Sequence, residues 1–177
     1  MAGAGMTEHN PSGADAFTLA VAAEIPRLRR FARVLLRPMG GMQGADDLVQ
    51  ETLLRAIVAR EQFAPGTNLR AWLFTILRHA RAAGARRDAR SPVVARGELP
   101  EAIISGGQEE REAMRELAER FNALPPVQRE ALWLVVVEGL DYAEAAAVMH
   151  VPPGTLRSRL SRARDSLRRA IGMPREE

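Results

Sequence analysis

The chain has 177 residues, 46% of them hydrophobic, and a formal net charge of +3, a length that suits one ordinary domain or two small ones. It holds no cysteine, which excludes a disulfide framework, a thiol nucleophile and the usual structural zinc sites. No basic flank followed by an apolar run marks a signal peptide, and no stretch approaches the ~20 apolar residues of a membrane span; a soluble cytoplasmic protein without membrane insertion is expected.

Only 5% of the residues are aromatic, so the cores rest on Leu, Val, Ile and Ala, and alanine-rich segments favour helix over strand. Residues 1–14 are small and polar and read as a disordered tail. Apolar residues then recur at Val21, Ile25, Leu28, Ala32 and Leu35, the spacing of one amphipathic helix, which Pro38 and Gly40-Gly41 end. A second helix is expected to open at Asp46-Asp47, with Gln50 completing a capping box and Val49, Leu53 and Ala56 or Ile57 buried. Pro65-Gly66 forces a turn, and Asn68 can cap a third helix whose apolar face is Leu69, Trp72, Leu73, Ile76, Leu77 and Ala80. In that setting Trp72 reads as a core residue. Residues 88–107 hold prolines and glycines without steady periodicity and read as a flexible linker.

The pattern restarts near Gln108. Met114, Leu117, Phe121 and Leu124 are expected to line one helix, stopped by Pro125-Pro126. A short apolar helix from Val127 to Glu138 is closed by Gly139. Asp141 and Glu144 supply a capping box for the next helix, with Ala145, Ala146 and Met149 on its core side. After a turn at His150-Val151 and Pro152-Pro153, the last helix carries Leu156, Leu160, Ala163, Leu167 and Ala170, and residues 172–177 form a second tail. The fold class is all-α: two small helical domains, over 15–87 and 108–171, joined by the linker.

All 25 basic residues are arginine. Those of Arg70–Arg96 and Arg157–Arg169 form two blocks, separated by an acidic stretch, which suggests two contacts with one polyanion. A short capped helix, a tight turn and a second helix with a basic outer face form the layout of a helix-turn-helix. With the leucine stripe inward, Arg157, Ser158, Ser161 and Arg162 face outward near the end that enters a major groove. Arginine can bond two acceptors of guanine there, and serine permits close approach. Arg159, Arg164, Arg168 and Arg169 suit phosphates. Enzymatic features are missing. His9, His79 and His150 lie in a tail, an arginine-rich helix and a turn, without a carboxylate or second histidine at metal-ligand spacing; no nucleophile elbow or glycine-rich phosphate loop is present. No catalytic residue, metal or cofactor is expected.

The segments LPPVQREALWLVVVEGLDYAEAAAVM and PPGTLRSRLSRARDSLR resemble the C-terminal domain of extracytoplasmic-function (ECF) sigma factors, and ADDLVQETLLRA and FAPGTNLRAWLFTILRHAR resemble their N-terminal domain, in the same order. PGTNLRAWLFTILR most resembles the general-stress-response branch. The resemblance implies a factor that binds core RNA polymerase and promoter DNA, is held by an anti-sigma factor between rounds of use, and is a monomer when free of partners. It implies core-polymerase contacts at Asp47, Gln50, Glu51, Leu54 and Arg55. It assigns −10 element contacts to Asn68, Arg78, His79, Arg81, Arg86 and Arg87, and −35 contacts to Thr155, Arg157, Ser158, Arg159, Ser161 and Arg162. The linker crosses the enzyme near the RNA path. Three positions depart from the pattern: His79 stands where most relatives have asparagine, ARAAGARR lacks the aromatics many relatives place there, and Val135 replaces a basic residue. An operator-binding helix-turn-helix dimer would leave the N-terminal half unassigned, and a sigma mimic that sequesters an anti-sigma factor would not need the arginine-rich last helix.

Overall fold

A computed structural model describes residues 13–36, 42–88 and 108–170; the linker over 89–107 and most of the two expected tails lie outside the described residues. Among the described residues every regular element is helical: α1 (Gly13–Ala23), α2 (Ile25–Leu36), α3 (Met42–Val58), a 3₁₀ turn (Arg60–Gln62), α4 (Leu69–Asp88), α5 (Gln108–Ala123), α6 (Pro126–Leu132) with a π-helical turn over Trp133–Val137, α7 (Tyr142–Met149) and α8 (Pro153–Ala170).

The stripe from Val21 to Leu35 is not one helix. Pro26 lacks the N–H that would bond the Ala22 carbonyl, and its ring crowds that carbonyl, so the chain turns at Glu24 and restarts. Leu28, Phe31, Ala32, Val34 and Leu35 are buried on α2. Helix α3 begins at Met42, a turn earlier than expected. Asp46 and Asp47 therefore lie inside it and do not open it; Asp46 instead accepts from Arg29 Nε of α2 at 2.9 Å. The buried stripe shifts to Ala45, Leu48, Val49, Thr52 and Ala56, leaving Leu53 half-buried and Ile57 exposed. Thr52 tolerates full burial because its hydroxyl donates to the Leu48 carbonyl at 2.7 Å.

Asn68 caps α4 as expected, its side-chain oxygen accepting from Ala71 N at 3.2 Å. Gly66, at φ +86°, makes the turn before it in a conformation that favours glycine. α4 packs against α2 and α3 on one side and α7 on the other. Phe74 is fully buried in addition to Leu73, Leu77 and Ala80, its ring 4.7 Å from that of Phe31. Trp72 is half-buried against Phe17 and Phe63, and the helix continues past Gly84 to Asp88.

α5 is less covered than its pattern suggests. Met114 and Leu117 are exposed, and burial begins only at Phe121 and Leu124. Its end is pinned by the buried Arg129, whose Nη1 donates to the carbonyls of Asn122 (2.8 Å) and Leu124 (3.3 Å). Those carbonyls would otherwise be orphaned at a helix terminus. The expected helix from Val127 to Glu138 finishes in the π turn, where Glu138 N bonds the Trp133 carbonyl at 3.1 Å. Gly139, at φ +71°, then ends it.

The capping box of α7 is complete: Glu144 N to Asp141 Oδ1 at 2.7 Å, and Asp141 N to Glu144 Oε2 at 3.0 Å. At its other end His150 takes the left-handed conformation (φ 51°), and Val151 N reaches the Ala146 carbonyl at 3.0 Å. Pro153 opens α8 where its missing N–H costs nothing. Leu156, Leu160 and Ala163 are buried beneath it, and Leu167 is half-buried. The buried residues of both halves form one continuous cluster, with α4 against α7 and α2 against α6 at the junction.

Candidate nucleic-acid interface

α7, the turn over residues 150–152 and α8 form the helix-turn-helix. Because Leu156, Leu160 and Ala163 are drawn into the core, helical periodicity turns Thr155, Arg157, Ser158, Ser161 and Arg162 outward, and all five are exposed; Arg159 is half-buried. Thr155, Ser158, Arg159 and Arg162 line one wall of a shallow groove whose other wall is Val127 and Gln128 at the start of α6. Further along, Arg164 and Arg169 extend the exposed basic ridge. Hydroxyls and guanidinium groups side by side on a convex helix can donate to base edges and phosphates alike.

α4 presents its polar residues differently. Arg78 Nε is hydrogen-bonded to Glu130 of α6, and its Nη1 reaches the Val148 carbonyl at 3.4 Å. Arg70 donates to Glu24 at 3.0 Å and to the Glu138 carbonyl at 3.0 Å, while Arg27 of α2 lies 3.7 Å from the Glu138 carboxylate. Asn68 Nδ2 donates to Glu144 at 2.9 Å, so the cap of α4 is tied to the cap of α7. His79 meets His150 edge to edge, their rings nearly coplanar and the Nε2 atoms 2.6 Å apart. Arg81 is half-buried, and Arg86 and Arg87 lie in the last turn of α4 with side chains outside the described residues.

Two carboxylates on the far side of this junction, Glu130 and Glu138, are buried, and burial raises the pKa of each. For Glu130 the positive charges of Arg78, Arg81 and Arg159 and the Arg78 hydrogen bond oppose that rise. For Glu138 the opposing groups are Arg30, the Trp133 indole N–H, Arg70 and Arg27.

A third surface lies on the outer side of α3. Asp47 and Gln50 are exposed, Leu54 is 62% exposed, and Glu51 pairs with Arg55 at 2.8 Å. Ile57 and Val58 continue it, Val58 at 87% exposure. Among the described residues no group of three or more His, Asp or Glu could hold a metal ion, and no helix is long and apolar enough to cross a membrane.

Residues 114–167 match the family model "Sigma-70, region 4" and residues 21–82 match "Sigma2 domain of PhyR". ECF RNA polymerase sigma factor EcfG of Rhodopseudomonas palustris is 43% identical over 148 residues, 83% of this chain and 80% of that protein. The chain belongs to the ECF sigma factor family.

ECF RNA polymerase sigma factor SigC of Mycobacterium tuberculosis is 46% identical over 125 residues, 70% of this chain and 68% of that one. Among solved structures, the sigma factor RpoE of Bartonella quintana, in complex with the anti-sigma factor NepR, is similar with a TM-score of 0.74 at 32% identity, covering 90% of this chain and 99% of that one. CnrH in complex with the cytosolic domain of CnrY gives a TM-score of 0.60 at 26% identity, over 89% and 88% of the two chains. The N-terminal half that an operator-binding regulator would leave unassigned thus has a counterpart in sigma factors, which are initiation factors and not enzymes.

Within this sigma factor, five of the six residues expected at the −35 element are exposed together on α8, with Arg159 half-buried beside them, whereas Asn68, Arg78 and His79 are turned onto the C-terminal half. Glu130, Glu138 and His150, which receive α2 and α4 side chains, are not marked as partners by the sequence. They lie 52 to 71 positions from α4 partners such as Arg78 and His79, and no local pattern announces them.

Proposed function

We propose that this ECF sigma factor binds core RNA polymerase and directs it to promoters, with α8 reading the −35 element through Thr155, Arg157, Ser158, Arg159, Ser161 and Arg162. The observation that carries the reading is the α8 ridge, open to solvent directly above a buried leucine stripe. That is also what favours a working sigma factor over a decoy. The outer side of α3, with Asp47, Gln50, Glu51, Leu54 and Arg55 and the adjoining exposed Ile57 and Val58, is the polymerase-docking surface. The α4 residues Asn68, Arg78, His79, Arg81, Arg86 and Arg87 engage the −10 element once the halves part, since three of them are otherwise occupied within the chain.

The protein works in the cytoplasm as a monomer between partners and serves a stress response. The match to EcfG and the likeness to a sigma factor solved with an anti-sigma factor support both the general-stress branch and control by an anti-sigma protein. Run-off transcription with purified core polymerase and a genomic promoter library, with and without the protein, tests the proposal. Promoter-specific transcripts should depend on its addition, and their absence would reject it. On a −35 sequence so defined, Arg162→Ala should cost about 1–3 kcal/mol of binding if the guanidinium is bidentate to a base. A uniform loss on all sequences would make it a phosphate contact.

A further inference from the structure

We propose that His79 and His150 form a proton-operated latch between the two halves: neutral, the pair holds α4 against the turn after α7, and protonation releases it. The two Nε2 atoms are 2.6 Å apart, with ring centroids at 4.7 Å and planes within 10°. At that separation one ring nitrogen must donate a hydrogen and the other accept it, so the contact requires at least one neutral ring. When both are imidazolium, each Nε2 carries a proton with no acceptor, and two like charges face each other at contact distance.

The surroundings do not relieve that repulsion. Arg78, on α4 itself, and Arg55, from α3, add positive charge at His79. Of the junction's carboxylates, Glu130 of α6 is engaged by Arg78 and Glu144 of α7 by Asn68 and its own capping box. The pKa of His79 is accordingly lowered from its ordinary value of 6.5, first by partial desolvation, then by the charges of His150, Arg78 and Arg55. The closed junction therefore binds fewer protons here than the parted one. Closure from this pair is fully present above about pH 6.5 and is lost progressively as the pH falls from that value towards the lowered pKa of His79. Glu130 and Glu138 act with the opposite sign: their pKa values are raised on burial, so acid strengthens closure through them. Both histidines are solvent-exposed, so protons reach the pair without unfolding.

If α4 faces promoter DNA in the working sigma factor, acidification uncovers it; that consequence rests on the sigma-factor reading, while the latch itself does not. The natural chain has no cysteine, so Arg60→Cys and Arg164→Cys, one exposed position on each half, can carry a donor and acceptor dye. Between pH 7.5 and 5.5 the open-to-closed ratio should rise, by up to about tenfold for one histidine kept unprotonated in the closed state. In His150→Asn the rise should be smaller than in the natural chain, because the His150 charge no longer opposes protonation of His79 while desolvation, Arg78 and Arg55 still do. Asparagine suits the left-handed backbone at position 150, so the turn should survive. His79→Gln gives the same comparison from the α4 side. Glu130 and Glu138 contribute alike to all three chains, so a pH response in His150→Asn or His79→Gln equal to that of the natural chain would overturn the latch. The measurement contains neither DNA nor polymerase, so its failure is separable from failure of the transcription assay.

Discussion

α4 and α8 are both long helices with an apolar stripe and a run of arginines, yet they use that charge in opposite ways. On α4, Arg70 and Arg78 reach across to the C-terminal half and bond buried acceptors there. On α8, Arg157 and Arg162 point into solvent. The difference lies less in the helices than in what faces them. α6 and the π turn present Glu130 and Glu138 to α4 and α2, whereas the groove beside α8 is lined by Val127, Gln128 and hydroxyl-bearing residues. Arginines clustered in sequence are thus sorted by the fold into those tied to acceptors across the junction, such as Arg70 and Arg78, and those left in solvent, such as Arg157 and Arg162.

The largest effect expected from disturbing α4 is at Phe74, fully buried against Phe31. Phe74→Ala should destabilise the protein by about 3–5 kcal/mol through the cavity it leaves, measured by calorimetry or denaturant unfolding. A loss under about 1 kcal/mol would mean that α4 is held mainly by its polar contacts. Glu130→Gln tests those contacts. Removing the charge opposite Arg78 should weaken closure by about 1.5–3 kcal/mol, seen as lower energy transfer between dyes on the two halves at neutral pH. Unchanged energy transfer would mean that the Arg78–Glu130 contact does not hold the two halves together.

A smaller change should result from Asp141→Ala, which removes the cap of α7 and should cost about 1 kcal/mol of stability. It should also raise exchange of the first α7 amide hydrogens while leaving α8 side chains exposed. Smallest of all is Asp46→Asn. Its pair with Arg29 is about half exposed on both sides, so the stability change should stay below about 1 kcal/mol and vanish in high salt.

Much of this molecule is legible in its residue order because helices announce themselves locally. The Asn68 cap, the Asp141–Glu144 box, Gly139 and the Leu156–Leu160–Ala163 stripe each depend on neighbours a few positions away, and each is found in the structure. Expectations fail where a local pattern admits two outcomes. Pro26 sits inside an apolar stripe that runs on regardless, and Asp46 could cap a helix or salt-bridge within one. The placing of Arg78 and His79 is illegible for a different reason. Both belong to a junction whose other side is more than 50 residues away, and an exposed-looking arginine reads the same whether its partner is a phosphate or a distant buried glutamate. Met114 and Leu117 show the converse, an apolar pattern that its own chain leaves uncovered.

The π turn at Trp133–Val137 lies ahead of α7 and α8, and its wide winding sets the angular phase of both. One residue more or less in a helix rotates the rest of the chain by about 100° and moves it by about 1.5 Å along the axis. Five π-helical residues and four α-helical ones each wind the chain by roughly 400°, so deleting a single valine from Val135–Val137 would let ordinary winding resume with α7 and α8 still facing as they do, whereas the same deletion from a regular stretch of α6 would swing both helices around their stem.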